Sequence, residues 1–256
     1  MRKLTLSVII IALNEEKNIE QCLRSVSWAD EIVVVVDDRT TDGTVEISQK
    51  YTENVYQRRF DGYGKQKQFA LTHTTGEWVL NLDADERVTG ELRREIEEKI
   101  QRKEYDGYHL YFQEVYLGKP LVFRKIGGSE RLFKRGKGTF TDADIHERVR
   151  VQGRIGLISI PIQHHSAPTV TKIVEKFNHY TTLDAKALRD AGATFSYMKL
   201  FLSPPYTFFE RFILHRGYED GFRGFIYAAF AAFYHFLKHL KMWELERNDV
   251  SVSSKR

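Results

Sequence analysis

An open α/β sheet flanked by helices, with a helical aromatic and basic extension after it, is the architecture this 256-residue sequence predicts. Two observations carry the sheet. Short β-branched runs alternate with helix-period segments four times in the N-terminal part of the chain, the pattern of parallel strands joined by right-handed crossovers. Three of those runs stop at polar or acidic clusters, Asn14-Glu15, Asp37-Asp38 and Asp83-Ala84-Asp85. Ligands of open α/β sheets bind beyond the carboxyl ends of the strands, so the three clusters are expected to line one crevice. A third observation carries the extension: from Tyr197 onward Phe and Tyr interleave with Arg and Lys.

Taken in order, residues 4–13 form a near-continuous β-branched run, read as a buried parallel strand. That run meets Asn14-Glu15-Glu16 with no small-residue cleavage site, so a strand is expected and not an export signal. Asn14 is expected to cap the next helix, with Glu15 and Glu16 at its positive end and Ile19, Leu23 and Val26 as its apolar stripe. Residues 31–36 form a second strand. Thr41-Asp42-Gly43-Thr44 is turn and cap chemistry opening a helix through Tyr51. A weaker strand over 55–60, a turn at Gly62-Tyr63-Gly64 and a helix over 65–73 lead to the fourth strand, Trp78 to Asp83.

A helix over 89–103 presents Leu92, Ile96 and Ile100 on one face. Residues 107–122 alternate as a hairpin with Gly118-Lys119-Pro120 at its turn, and 131–135, 148–152 and 156–163 are further short strands. A long helix is expected over 169–191, closed by Gly192. Beyond it, Pro204-Pro205, Gly217 and Gly221 are expected to break the tail into two or three helices. Those helices either pack on the domain or form an interfacial surface over residues 200–245, apolar face among lipid headgroups and basic side chains on anionic lipid. Phe230 and Phe233 are the side chains expected to carry membrane contact.

Composition excludes several classes. Apolar residues make up 42% and charged residues 29%, as in a globular protein. A single cysteine, Cys22, forbids an intramolecular disulfide and reads as helix core. No stretch reaches the roughly 18 uncharged apolar residues of a membrane span. A net charge of +4 permits an anionic partner such as a membrane surface without demanding one, and no nucleic-acid partner is expected.

Asp83-Ala84-Asp85 is the feature with the most chemistry in it. A buried apolar run that ends on two carboxylates does not serve a core, because burying unpaired carboxylates is prohibitively costly. Hard oxygen ligands at a strand end suit Mg²⁺ or Mn²⁺ held beside a substrate's phosphates. The plainer alternative is an acidic turn capping the next helix.

With these strand ends in view, the chain resembles the family 2 glycosyltransferases, inverting enzymes with the GT-A fold. The resemblance rests on residues 7–16, on Val35-Val36-Asp37 through Thr41-Asp42-Gly43-Thr44, and on Trp78 through Arg87. It extends to the branch that includes lipopolysaccharide core β-glucosyltransferases through Trp28-Ala29-Asp30-Glu31-Ile32, Gly62-Tyr63-Gly64, Asp83-Ala84-Asp85-Glu86-Arg87, Arg131-Leu132-Phe133 and His146-Glu147. Two positions depart from the pattern. Asp38-Arg39-Thr40 stands where the family usually has Ser-Gly-Ser, which puts Arg39 within reach of a nucleotide, and Gln68 stands where it usually has Asn.

The resemblance implies a GT-A Rossmann-like mixed sheet: residues 1–105 as the nucleotide-sugar half, 106–168 as acceptor-side sheet and 169–256 as the helical region. It implies direct transfer of a hexose, glucose in that branch, from a UDP-sugar to a glycolipid such as lipopolysaccharide core, on the cytoplasmic face of the membrane. Asp85 is then the metal ligand for Mn²⁺ or Mg²⁺, with Asp83 on the ribose or the metal and His164 a further ligand. Leu13, Glu15 and Asp37 are expected around uracil and ribose, Lys67 on phosphate or uracil, and Arg131 on sugar or diphosphate. The acceptor hydroxyl needs a carboxylate base, found among Asp142, Asp144 and Glu147. Glu147 matches the family's acceptor-side acid and Asp144 is the runner-up. Oligomeric state is not legible. Two other classes compete: a sugar nucleotidyltransferase, disfavoured because the first strand lacks a glycine-rich phosphate loop, and a non-catalytic nucleotide- or lipid-binding protein, disfavoured by the retained carboxylates.

Overall fold

A computed structural model of the chain describes residues 5–141, 149–167 and 169–253. The described chain divides into two bodies, Met1–Glu114 with Lys125–His165 and Val115–Arg124 with Ser166–Arg256.

In the first body, β1 (Leu6–Ala12), α1 (Ile19–Ser25), β2 (Glu31–Asp37), α2 (Thr44–Gln49), β3 (Val55–Arg58), α3 (Tyr63–Thr72) and β4 (Trp78–Asp83) follow in the alternation the sequence predicts. They continue into β5 (Glu86–Arg87), α4 (Gly90–Arg102), β6 (Gly107–Tyr116), β7 (Lys119–Lys134), β8 (Gly138–Phe140), β9 (Val149–Val151) and β10 (Ile155–Ala167). The main sheet has the order β3-β2-β1-β4-β7-β6-β10-β5. The α/β class and the mixed sheet are therefore as expected.

Strand β1 lies between β2 and β4, parallel to both, with Ile10 opposite Val34 and Leu82. A central parallel strand is covered on both faces, which is why it reads as a continuous run of Val and Ile rather than an alternation. Val8, Ile10, Val34, Leu80 and Leu82 meet Ile19, Cys22 and Leu23 of α1 and Leu92 and Ile96 of α4. The intervening residues Ile9, Val33, Val35 and Val79 face Ala70 and Leu71 of α3. Cys22 is buried in this core, as its spacing predicts, and burial pushes its thiol up. The sheet turns antiparallel at β7, where Leu80 pairs with Leu132. The two-residue strand β5 pairs antiparallel with β10, Glu86 opposite His164.

Local expectations fail in three places. Asn14 does not cap α1: it sits at φ 52° and its Oδ1 accepts the Thr41 amide at 2.9 Å, so the chain turns once more before Asn18 precedes the helix. Asn tolerates the left-handed region and bonds across loops as readily as it caps. The turn between β6 and β7 is Leu117-Gly118, φ 48° and 80°, and not Gly118-Lys119-Pro120. Two residues with positive φ match the right-handed strand twist of a hairpin, which frees Lys119 and Pro120 to begin β7. Pro204 and Pro205 do not break the tail either, since both lie inside helix α6 below.

The second body holds that hairpin tip with α5 (Val170–Asp190), α6 (Tyr197–Phe209) and α7 (Gly221–Ser253). Thr169 caps α5 by accepting the Lys172 amide, and Gly192, φ 79°, follows its end. The chain reverses between α6 and α7 through a wide turn at Glu210–Leu214, Arg216 at φ 59°, and Gly221 at φ 58°. Gly224 faces the Gly217 carbonyl so closely that any Cβ there would collide with it. Phe230, expected to touch membrane, instead packs with Tyr116, Leu121, Ile173 and Phe177. Phe233 is 46% exposed. No helix among the described residues is long and apolar enough to cross a membrane.

Candidate functional site

Three strand ends of the first body meet at one cavity of about 320 Å³. Ile11, Ala12, Leu13 and Glu15 come from the end of β1, Asp37 and Arg39 from β2, and Asp83, Ala84 and Asp85 from β4, with Phe60, Tyr63 and Gln66 closing the remaining side. The loops after β1 and β2 are laced together. Glu15 N–H donates to Thr44 Oγ1 at 2.8 Å, Glu16 N–H to Asp42 Oδ2 at 3.1 Å, and Gly43 N–H to Glu16 Oε2 at 2.9 Å. Thr41-Asp42-Gly43-Thr44 thus works as an inter-loop tie as well as a helix opening.

At the end of β2, Asp37 is buried and Arg39 covers it. Arg39 Nε lies 3.0 Å from Oδ1 and Nη2 lies 2.5 Å from Oδ2. These bonds hold the Asp37 carboxyl below its usual range although burial opposes them.

At the end of β4 the two carboxylates have different surroundings. Asp83 Oδ1 accepts Lys67 Nζ at 2.9 Å and Oδ2 accepts Arg131 Nη2 at 3.1 Å. The same Arg131 nitrogen reaches Glu86 Oε1 at 3.1 Å, and Glu86 Oε2 accepts the Asp83 amide at 2.9 Å. Burial alone would raise the Asp83 carboxyl, but Lys67 and Arg131 pull it far below the usual carboxylate range. Burial pushes Glu86 up to about 7, with Arg131 opposing. Lys67 and Arg131 are buried cations, so their compensation by Asp83 is a structural requirement as much as a functional one.

Asp85 Oδ2 faces His164 Nε2 at 3.3 Å, and His164 Nδ1 faces Glu114 Oε2 at 3.3 Å. Burial would lower the imidazole, but hydrogen bonds to Asp85 and Glu114 push it up to about 10. The His165 amide donates to the Asp85 carbonyl at 2.8 Å, and Arg87 Nη1 donates to the Ala84 carbonyl at 3.0 Å, so the turn between β4 and β5 is tied from two sides.

The structure therefore brings Leu13, Glu15, Asp37, Asp83 and Asp85 to one cavity. Lys67, Arg131 and His164 are placed on the lining carboxylates rather than in the lining itself. Gln68 is turned away, its Oε1 accepting the Phe140 amide at 3.0 Å. Glu147 and Asp144, the expected base and its runner-up, lie outside the described residues.

Glu114 was missed in the sequence, although a lone carboxylate in the apolar run Tyr111-Phe112-Gln113-Glu114-Val115-Tyr116 signals a buried partner. Glu86 was read only as part of its motif. Phe60 was read only as the end of a weak strand and Tyr63 only as part of a turn motif, neither as cavity lining.

The residues at hand suit a divalent cation held jointly with a ligand. Asp85 offers a hard oxygen; His164, charged while it bridges Asp85 and Glu114, would offer a nitrogen only on giving up a proton, and Mn²⁺ would accept it better than Mg²⁺. Both Asp83 oxygens are already engaged by cations, which makes Asp83 the weaker donor of the pair. Among the described residues no three His, Cys, Asp or Glu side chains form a closed metal cage.

Comparison with known proteins places these features in context. The sequence model of glycosyl transferase family 2 matches residues 7–149. A lipopolysaccharide core biosynthesis glycosyltransferase, LpsC of Rhizobium meliloti, is 32% identical over 252 residues, 94% of this chain and 93% of that one. An uncharacterized glycosyltransferase of Rickettsia typhi is 31% identical over 261 residues, 96% of this chain and 89% of its own length. Among solved structures, S. aureus TarS 1-349 in complex with UDP-GlcNAc aligns with a TM-score of 0.46 at 15% identity, covering 95% of this chain and 92% of that one.

Proposed function

This chain belongs to glycosyl transferase family 2 and is a glycosyltransferase, and from that premise we propose that it transfers a hexose, glucose in the first instance, from a UDP-sugar to a membrane-anchored glycolipid of the lipopolysaccharide core type, with inversion. One observation carries the donor half: Asp37 from the end of β2 and Asp85 from just beyond β4, the strands on either side of β1, line a single cavity. A buried carboxylate beside β2 for a nucleoside and a carboxylate–imidazole pair beside β4 for a metal–diphosphate suit a nucleotide sugar. Asp83, braced by Lys67, Arg131 and Glu86, holds the turn that presents Asp85.

Direct displacement at the anomeric carbon needs two groups stabilised, the departing diphosphate and the proton leaving the acceptor hydroxyl. Asp85 and His164 would hold a divalent cation, which would supply Lewis-acid stabilisation of the departing diphosphate. Glu147 takes the proton as general base. The acceptor class follows the R. meliloti relative, whose name assigns it to lipopolysaccharide core biosynthesis. Work on such an acceptor puts the protein at the inner face of the cytoplasmic membrane.

The donor reading is tested by thermal unfolding with UDP and UDP-sugars, with and without Mn²⁺, followed by transfer to heptose-containing core acceptors. UDP with Mn²⁺ at about 100 times Kd should raise Tm by roughly 5–10 °C. No shift with any UDP-sugar, and no release of UDP, would sink it.

The second body supports membrane contact through its apolar and basic exposure. Phe201 is 64% and Phe222 75% exposed, on a body that also carries Lys199, Arg211, Arg216 and Arg223. Replacing Phe201 and Phe222 together with Ser should cut cosedimentation with anionic vesicles by about tenfold without changing Tm. Phe230→Ser should instead lower Tm, because Phe230 is packed. Vesicle binding unchanged in the double variant would rule out this surface.

A further inference from the structure

Arg87 lies just beyond the turn that carries Asp85, and the donor reading does not use it. It is 7% exposed, and among the described residues no carboxylate forms an ion pair with its guanidinium. Its Nε is buried and bonds to no described residue. Burial pulls the group below its usual range, with Cys22, Asp85 and Glu15 opposing. A buried cation without an ion-pair partner is costly, so its place in the fold needs a reason.

The reason lies in what the guanidinium holds. A single nitrogen, Nη1, donates to the Ala84 carbonyl at 3.0 Å and to the Glu86 carbonyl at 2.8 Å, the residues on either side of Asp85. The His165 amide donates to the Asp85 carbonyl at 2.8 Å, and Cys22 Sγ donates to the Asp83 carbonyl at 3.6 Å. Every carbonyl from Asp83 to Glu86 is thus tied. The sheet does little of this itself, because β5 is two residues long and stands at the sheet edge with β10 as its neighbour. A strand that short makes few ladder bonds, and the turn's carbonyls find their partners in side chains instead.

We propose that Arg87 is a positioning residue for the metal–diphosphate part of the site: by bridging the carbonyls on either side of Asp85, it fixes the direction in which Asp85 presents its carboxylate to a divalent cation. This rests on the cavity being the nucleotide-sugar site and on Asp85 being its cation ligand. Arg87 acts through the Asp85 backbone and touches neither cation nor sugar. A ligand must be held within about 0.5 Å of its working position to act at full strength. An unbraced turn would have to be ordered at the moment the cation binds, which weakens affinity. Stability given up to a buried, unpaired charge is the counterpart of a ligand set in advance.

The test is calorimetric titration of UDP into the wild-type chain, R87M and R87K, each in EDTA and across a Mn²⁺ series, with a circular dichroism melt of each. Methionine fills the space of the arginine stem without charge or donors, and an apolar side chain in place of a buried charge is expected to leave the fold standing. R87M should bind UDP in EDTA within about threefold of wild type, yet need about 10- to 100-fold more Mn²⁺ for the half-maximal gain in UDP affinity. R87K keeps the charge and one nitrogen on a shorter stem, and should need about 3- to 10-fold more.

A folded R87M with the wild-type Mn²⁺ requirement overturns the inference and leaves the donor reading standing. So does a loss of UDP affinity of equal size in EDTA and in Mn²⁺, the mark of a merely structural role. If R87M does not fold, R87K decides. A raised Mn²⁺ requirement at wild-type affinity in EDTA upholds the bridge, and an unchanged requirement overturns it. Wild type that binds UDP equally with and without Mn²⁺ overturns the inference together with the metal reading. Wild type that binds no UDP under either condition removes the donor reading as well.

Discussion

Asp85→Ala is expected to abolish Mn²⁺-dependent binding of UDP while leaving the fold intact. Asp85 is the strand-end carboxylate that faces the His164 imidazole, at 3.3 Å. Removing it takes away a hard oxygen donor that lines the cavity, and leaves His164 still facing Glu114. Residues that merely orient metal ligands are each worth about 10- to 100-fold in metal affinity, so loss of the ligand itself should cost about 100-fold or more. Calorimetry of UDP with Mn²⁺ and with EDTA separates the outcomes. Wild type should lose most of its affinity in EDTA, and Asp85→Ala should match wild type in EDTA under both conditions. A metal-dependent gain retained by Asp85→Ala would move the cation elsewhere in the cavity.

Glu147→Gln is expected to bind UDP-sugar as wild type does and to transfer about 10²- to 10⁴-fold more slowly, the usual worth of a positioned general base. The substitution keeps size and hydrogen-bonding capacity but cannot take a proton. The two variants therefore split along the reaction: Asp85→Ala fails at the leaving group, Glu147→Gln at the incoming hydroxyl. Single-turnover transfer measured at saturating donor gives the rate directly, and UDP titration of the same preparation shows that binding survives. Normal transfer by Glu147→Gln would pass the role to Asp144, whose Asp144→Asn variant is the control.

Much of the donor side was legible because its signals are local. The β-branched runs of β1, β2 and β4 mark strands buried on both faces, and their polar termini mark the ligand end of the sheet. The helices expected from residues 89 and 169 do start there, with Thr89 and Thr169 as their N-caps through chemistry confined to three residues. Asn14 misled because its side chain had two satisfactory uses, and the choice between them was made by Thr41, 27 residues away. Pro204 and Pro205 misled because a helix-breaking residue is tolerated where the surrounding packing outweighs the lost bonds.

The sequence by itself determined the class of sheet, the end of it that binds, and the presence there of Asp37, Asp83 and Asp85. Strand period and turn chemistry depend on neighbours along the chain, so they are written in it. Only the tertiary structure decided which partner each carboxylate meets. Register places Glu86 opposite His164 and brings Arg131 from β7 to Asp83, so that one aspartate is spent on Lys67 and Arg131 while the other meets an imidazole. Ion pairs form across elements at distances of about 3 Å, set by the packing of strands far apart in sequence, and spacing along the chain carries no record of them.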